Sequence, residues 1–296
     1  MLYLILISFV WAFSFGLTKN YLNGLDSNFV SFARLAIALL FFLPFLKLRS
    51  ISKQLAVKFL LIGAVEYGVM YLTYNAAFQY LKAYEVALFT IFTPIYVTLV
   101  NDIVERKIHR LTLFAVLLAT LGTAIVRWNQ VPNTTLTGFL LVQISNLGFA
   151  FGLVFYRREM ARQPGLKDSH VFGLLYLGGT LLSGIFTLVS VLNGTTIQLT
   201  MTSSLTLVYL GAIASGLGFF LWNVGSRQVS IGAMAIFNDL KVPLAIVVSL
   251  LFFGENANLV NLIIGGLLVL AGLLLNEFGP GIFVPITRLF SPEKTI

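Results

Sequence analysis

The chain has 296 residues, of which 58% are hydrophobic and only 10% charged, more apolar surface than a soluble core of that length encloses. The composition therefore places it among polytopic membrane proteins and excludes a soluble enzyme. The net charge of +8 is assigned to loops on the cytoplasmic side rather than to nucleic acid, and the absence of cysteine excludes disulfides and thiolate metal sites.

Ten apolar segments of spanning length follow in order: Leu2–Thr18, Phe29–Leu46, Ala56–Tyr80, Tyr84–Val100, Leu111–Val126, Leu136–Tyr156, Val171–Leu192, Ser204–Gly225, Gly232–Phe253 and Leu259–Leu275. The first lacks a basic leader and a small-residue cleavage site, so it is read as a retained span. Links are short and carry turn residues such as Asn23-Gly24, Pro132-Asn133 and Asn193-Gly194. The tail beyond residue 276 opens on Gly279-Pro280-Gly281, which is expected to end the last helix. An inside N-terminus puts fourteen lysines and arginines in cytoplasmic loops and tail, against Lys19, Lys82 and Arg127 outside. That bias predicts both termini in the cytoplasm.

The charges within the spans are the candidates for function, because ionisable groups at membrane depth are costly. Span 9 holds Asn238, Asp239 and Lys241 just before Pro243, and span 3 holds Glu66. Proline removes a helical hydrogen bond, so Pro243 is expected to leave the Asp239 carbonyl unpaired, and Pro94 in span 4 that of Thr90. Both prolines are candidate hinges. Tyr67, Tyr71, Tyr74 and Phe78 form an aromatic stripe on one face of span 3, with Phe219 and Trp222 at matching positions in span 8. Tyr67 and Tyr71 are assigned to a cavity wall, where tyrosine faces attract ammonium groups. Glu66, Asp239 and Lys241 are read as substrate or proton groups; a structural ion pair of Glu66 with Lys241 is the alternative. Asn75, Asn146, Asn223 and Asn238 are polar positions suited to interhelical hydrogen bonds or ligand contact. Arg34 is read as snorkelling to the headgroups, and Glu105 and Glu255 as suiting the starts of spans 5 and 10. His109 and His170 stand alone in loops, and no metal site, cofactor or catalytic constellation is expected.

The two halves repeat. Phe13-Ser14-Phe15-Gly16 matches Phe149-Ala150-Phe151-Gly152, and Gly63-Ala64, Gly68 and Tyr74-Asn75 match Gly211-Ala212, Gly216 and Trp222-Asn223. Pro94 and Glu105 correspond to Pro243 and Glu255. Five spans per repeat is an odd number, so the second repeat runs inverted, as in alternating-access carriers. The charges of Glu66, Asp239 and Lys241 fall on Ala214, Thr90 and Phe92 in the other half, so the scaffold repeats while the candidate site does not.

The ten spans, the pattern Ala87…Pro94…Glu105 and Ala235…Pro243…Glu255, and Arg34 in span 2 resemble EamA-type members of the drug/metabolite transporter superfamily. The likeness covers about residues 2–276. It implies an all-α fold of two inverted five-helix repeats, 1–128 and 136–276, with 277–296 a cytoplasmic tail. It also implies a multi-pass carrier in the cell membrane for amino acids, amines or related zwitterions and cations, moved mostly outward. The nucleotide-sugar branch is the alternative. A central cavity between spans 1, 3, 4, 6, 8 and 9 is implied, which brings Phe15, Phe149, Phe219, Trp222 and Asn75 toward the site. A proton is a candidate coupling partner, and no nucleic acid is expected.

Overall fold

The computed structural model describes residues 2–106, 118, 121, 133–228, 231–256 and 258–282, and within them the chain is helical with no strand. The predicted span Leu111–Val126 lies outside the described residues, apart from residues 118 and 121. Helix α1 is Leu2–Tyr21 and α2 is Ser27–Phe42. The third segment is α3 (Lys53–Gly63), a π-helical turn Ala64–Val69, and α4 (Met70–Ala77). The fourth is α5 (Ala83–Phe89), a 3-10 turn Thr90–Phe92, and α6 (Thr93–Glu105). After these come α7 (Asn133–Ala161) and α8 (Asp168–Leu192). Next are α9 (Met201–Tyr209), a π turn Leu210–Leu217 and α10 (Gly218–Ser226), followed by α11 (Ile231–Phe252) and α12 (Leu259–Ile282). Seven of the helical segments are long and apolar enough to cross a membrane.

The starts of these helices are written in the local sequence. The Asp26 carboxylate accepts the Phe29 amide at 2.8 Å, the Ser52 hydroxyl accepts Leu55 N–H, and Thr200 accepts Ser203 N–H. Each satisfies an amide that the first turn leaves without a partner. Gly194, at φ +90, makes the turn expected at Asn193-Gly194. The Gly279-Pro280-Gly281 stop is not observed, since α12 runs on to Ile282. A glycine ends a helix by taking left-handed backbone, and among the described residues only Gly194 and Gly254 do so.

Helical segments joined through described residues run antiparallel. α1, α3, α8 and α11 begin at what we call the near end, and α2, α5, α7, α9 and α12 begin at the far end. Arg227 meets Asp168 at the near end, while Glu255 meets the start of α5 at the far end. The surface is apolar, with Leu40, Leu61, Ile185 and Leu251 facing outward, and the polar side chains Arg34, Glu66, Asn75 and Asn223 are buried inside. That inside-out distribution suits hydrocarbon as the solvent. Small residues let backbones touch. A Cβ on Gly178 would meet the Leu60 carbonyl of α3, and one on Gly63 would meet the Leu175 backbone of α8.

Candidate functional site

A cavity lies at mid-depth, reaching toward the far end. Its wall is aromatic: Trp11 and Phe15 from α1, Tyr71 and Tyr74 from α4, Phe149 from α7 and Phe219 from α10. One side is polar and uncharged, with Thr90, Thr93, Ser145 and Asn146. Two cations enter it, Arg34 from α2 and Lys241 from α11, and no carboxylate is among the described lining residues. From there to the near end the bundle is filled, with Leu4, Phe59, Tyr67, Tyr156 and Ser226 fully buried.

Arg34 is held, not snorkelling. It is 3% exposed. Its Nη2 donates to the Tyr71 hydroxyl at 3.2 Å, its Nε to Ser215 Oγ at 3.2 Å and its Nη1 to Thr18 Oγ1 at 3.4 Å, and its guanidinium lies 4.7 Å over the Tyr71 ring. These partners are neutral oxygens, and among the described residues no carboxylate pairs with it. The snorkelling expectation is therefore corrected. The guanidinium found buried hydrogen-bond acceptors inside the bundle, which a position seven residues into a helix allows. Tyr71 in turn donates to Ser215 Oγ at 2.6 Å, and Ser215 donates to the Leu210 carbonyl at 2.7 Å, five residues back. That last bond spans the π turn. Such turns put backbone and side-chain groups out of helical register and are frequent at functional sites.

The other cation, Lys241, donates to Asn238 Oδ1 at 2.9 Å and sits 5.0 Å from the Trp11 ring. Trp11 is fixed by its indole N–H on the Ala214 carbonyl at 3.0 Å. Asn146 donates to the Phe89 carbonyl at 2.9 Å, and the Thr93 hydroxyl lies 2.7 Å from the Thr90 carbonyl and 3.1 Å from Asn146 Oδ1. The expectation of an unpaired Thr90 carbonyl before Pro94 is thus corrected. The chain breaks into a 3-10 turn there, Pro94 falls in the first turn of α6 where its missing N–H costs nothing, and a threonine hydroxyl takes up the carbonyl. Pro243 differs, lying inside the unbroken helix α11.

Of the residues predicted for the site, Phe15, Tyr71, Phe149, Phe219 and Lys241 line the cavity together. Asn238 supports Lys241 from behind, and Asn75 donates to Ser31 Oγ at 2.9 Å. Trp222 is fully buried against Trp11, with ring centroids 5.1 Å apart. Tyr67 lies behind the wall, stacked on Tyr176 at 5.0 Å. Glu66 is also outside the cavity, accepting from Asn223 Nδ2 at 3.0 Å. The Asp239 side chain lies outside the described residues. Trp11, Thr93 and Ser215 were missed, Arg34 was read as snorkelling, Asn146 was named only as a polar position, and Thr90 only for its carbonyl. The signal for Arg34 was available, since it is the one ionisable residue within its predicted span.

The profile of the EamA-like transporter family matches residues 1–128 and 136–278. The chain belongs to the EamA-like transporter family. Curated relatives of this EamA-like chain agree in kind. One named a biotin transporter from Escherichia coli K12 is 39% identical over 276 residues, covering 91% of this chain and 90% of its own length. Another of that name from Salmonella typhimurium is 37% identical over 273 residues, covering 91% of this chain and 90% of its own. A probable biotin transporter from Pseudomonas aeruginosa is 35% identical over 284 residues, covering 94% and 98%. A crystal structure at 16% identity superposes with a TM-score of 0.65 over 97% of this chain and 99% of that one, so the fold is shared. This EamA-like protein is a multi-pass membrane transporter of a small metabolite, not an enzyme.

Proposed function

We propose that the chain carries a small organic carboxylate of the biotin type across the cell membrane by alternating access. The observation that supports it most is the cavity itself, with Arg34 and Lys241 among aromatic walls and no described carboxylate in the lining. That described balance favours an anion over the amine or zwitterion expected from Glu66 and Asp239. A carboxylate takes two parallel hydrogen bonds from a guanidinium fork, and Lys241 adds a second positive charge. Biotin is a carboxylate on an apolar chain joined to a cyclic urea. The chain and rings fit the faces of Tyr71, Phe149 and Phe219, and a urea wants donors and acceptors such as Asn146, Thr90 and Thr93 supply. The names of the relatives favour the same substrate.

The transport cycle rests on ten spans in two inverted repeats, 1–128 and 136–276, with both termini inside and the near end cytoplasmic. Two features favour this. π turns occur at Ala64–Val69 and Leu210–Leu217, which overlap at the repeat shift. The 23-residue segment Ala83–Glu105 starts at the far end and spans roughly 34 Å at helical rise, while α7 starts again at the far end with Gly138 beside Tyr80. Purified protein in liposomes should exchange labelled biotin for internal biotin, with free biotin competing and its methyl ester competing poorly. Equal competition by the ester would remove the carboxylate reading. Competition by phosphorylated sugars instead would favour the nucleotide-sugar branch. The same liposomes, loaded or empty, test the outward direction expected from the family resemblance.

A further inference from the structure

We infer that Glu66 is a proton-binding site that is filled when the near end of the bundle is closed and emptied when it opens. The side chain is fully buried on the π turn Ala64–Val69. Its Oε1 accepts from Asn223 Nδ2 at 3.0 Å, and its Oε2 has no hydrogen-bond partner among the described residues. No cation of the described residues pairs with it. A carboxylate in that setting is an uncompensated buried charge with an orphan acceptor, which is the costliest arrangement a protein interior offers. A proton on Oε2 removes the charge and turns the orphan acceptor into a donor. Asn223 Oδ1, on the side chain that already bonds Glu66, is likewise without a partner among the described residues.

Asn223 and Gly152, the residues found against Glu66, are neutral. The titratable side chains that sense Glu66 are Tyr67 on its own turn, Tyr156 of α7 and Tyr176 of α8. The charged residues on these elements lie nearer the end of the bundle, where Arg158 Nη1 is buried without a partner among the described residues. Lys58 of α3 and Arg162 just past α7 both pair with Glu159, and Asp168 of α8 pairs with Arg227 beyond α10, with Tyr156 also donating to Asp168. Arg157 and Arg158 of α7 and Lys53 at the start of α3 complete that end, while α4 and α10 carry no charge. Gly152 of α7 makes room, since a Cβ there would occupy the space of the Glu66 Cβ and Cγ.

Position links the proton to conformation. Glu66 belongs to the first half of the chain and Asn223 to the second, and Asn223 Nδ2 also donates to the Tyr67 hydroxyl at 2.8 Å. Parting the two halves at the near end breaks these bonds and admits water to the carboxyl, which then ionises. The closed form binds one more proton, so acid favours closure and rising pH favours opening. One proton changes the closed-to-open ratio by about tenfold per pH unit within the window where the two forms differ. The inference is independent of the substrate.

The chain has no cysteine, so a Ser226→Cys variant reports opening of the near end through a single thiol. Its maleimide labelling should be compared with and without Glu66→Gln at each pH, which cancels the thiol's own ionisation. With Glu66 present the relative rate should climb with pH by up to about tenfold per unit, and with Glu66→Gln it should stay at the low, closed-state value. Parallel pH profiles in the two backgrounds overturn the inference. A measurement on the unaltered protein guards against misfolding of the variant. Its infrared spectrum at neutral pH should contain the carbonyl stretch of a neutral carboxyl, and a spectrum of ionised carboxylates alone overturns the inference as well.

Discussion

Arg34 shows how one side chain redirects a functional reading. Its guanidinium sits inside the cavity on three neutral oxygens, and on the proposed reading its charge is balanced by a ligand. Hydrogen bonds to charged groups contribute about 1.5–3 kcal/mol, so Arg34→Gln should weaken carboxylate binding roughly tenfold to a hundredfold, read as Kd by calorimetry. Arg34→Lys should restore little, because an ammonium reproduces neither the fork nor the contact with Tyr71. Unchanged affinity in Arg34→Gln would move the anion site to Lys241. The residue was visible in the sequence as a charge in an apolar segment. Its partners were not, since Ser215 and Thr18 are remote in the chain and carry no pattern that marks them as ligands of a guanidinium.

At the level of elements, helical periodicity located the described spans to within a few residues, because a bilayer demands about twenty apolar residues each time. It did not reveal where those spans depart from regular helix. The π turns Ala64–Val69 and Leu210–Leu217 and the 3-10 turn at Thr90–Phe92 shift the register of everything after them. The stripe Tyr67, Tyr71, Tyr74 and Phe78 was read on an ideal helix as one face, with Tyr67 and Tyr71 as the cavity wall. In the structure Tyr71 and Tyr74 line the cavity while Tyr67 lies behind it. The spacing of glycines is a better guide to which helices touch. Gly178 stands where any side chain would strike the Leu60 carbonyl, so Gly178→Val should separate α3 from α8. Overpacking of this kind costs typically 1–3 kcal/mol, and the variant should unfold at lower temperature than the unaltered chain in the same detergent. Ala at the exposed Gly24, with nothing near its Cβ, is the matched control.

For the whole molecule, the two ends are held differently. The near end is tied by ion pairs between side chains, Lys58 and Arg162 with Glu159 and Arg227 with Asp168. At the far end the Glu255 carboxylate accepts the amides of Ala83 and Tyr84 at 2.8 and 3.1 Å, and the Lys82 ammonium reaches the Asn256 carbonyl at 2.7 Å. The carboxylate expected to suit the start of the tenth span thus caps α5 instead. Orientation of these ends in the cell is predicted from loop charge. A cysteine placed in the Lys47–Lys58 loop should resist membrane-impermeant reagents in intact cells and react after permeabilisation. Ready labelling in intact cells would invert the assignment of near and far.

The charge of Arg34 also bears on how the carrier responds to voltage. A guanidinium fixed in a low-dielectric bundle does not travel, but rearrangement moves the water on either side of it. The charge is then electrically close to one compartment in one state and to the other in the next. Across a polarised membrane each elementary charge transferred through the full field is worth about 2.3 kcal/mol per 100 mV. On the proposed reading a bound carboxylate offsets one of the two positive charges in the cavity, Arg34 and Lys241, and an empty site leaves both. The membrane potential should therefore act more strongly on the return of the unloaded protein than on the loaded step.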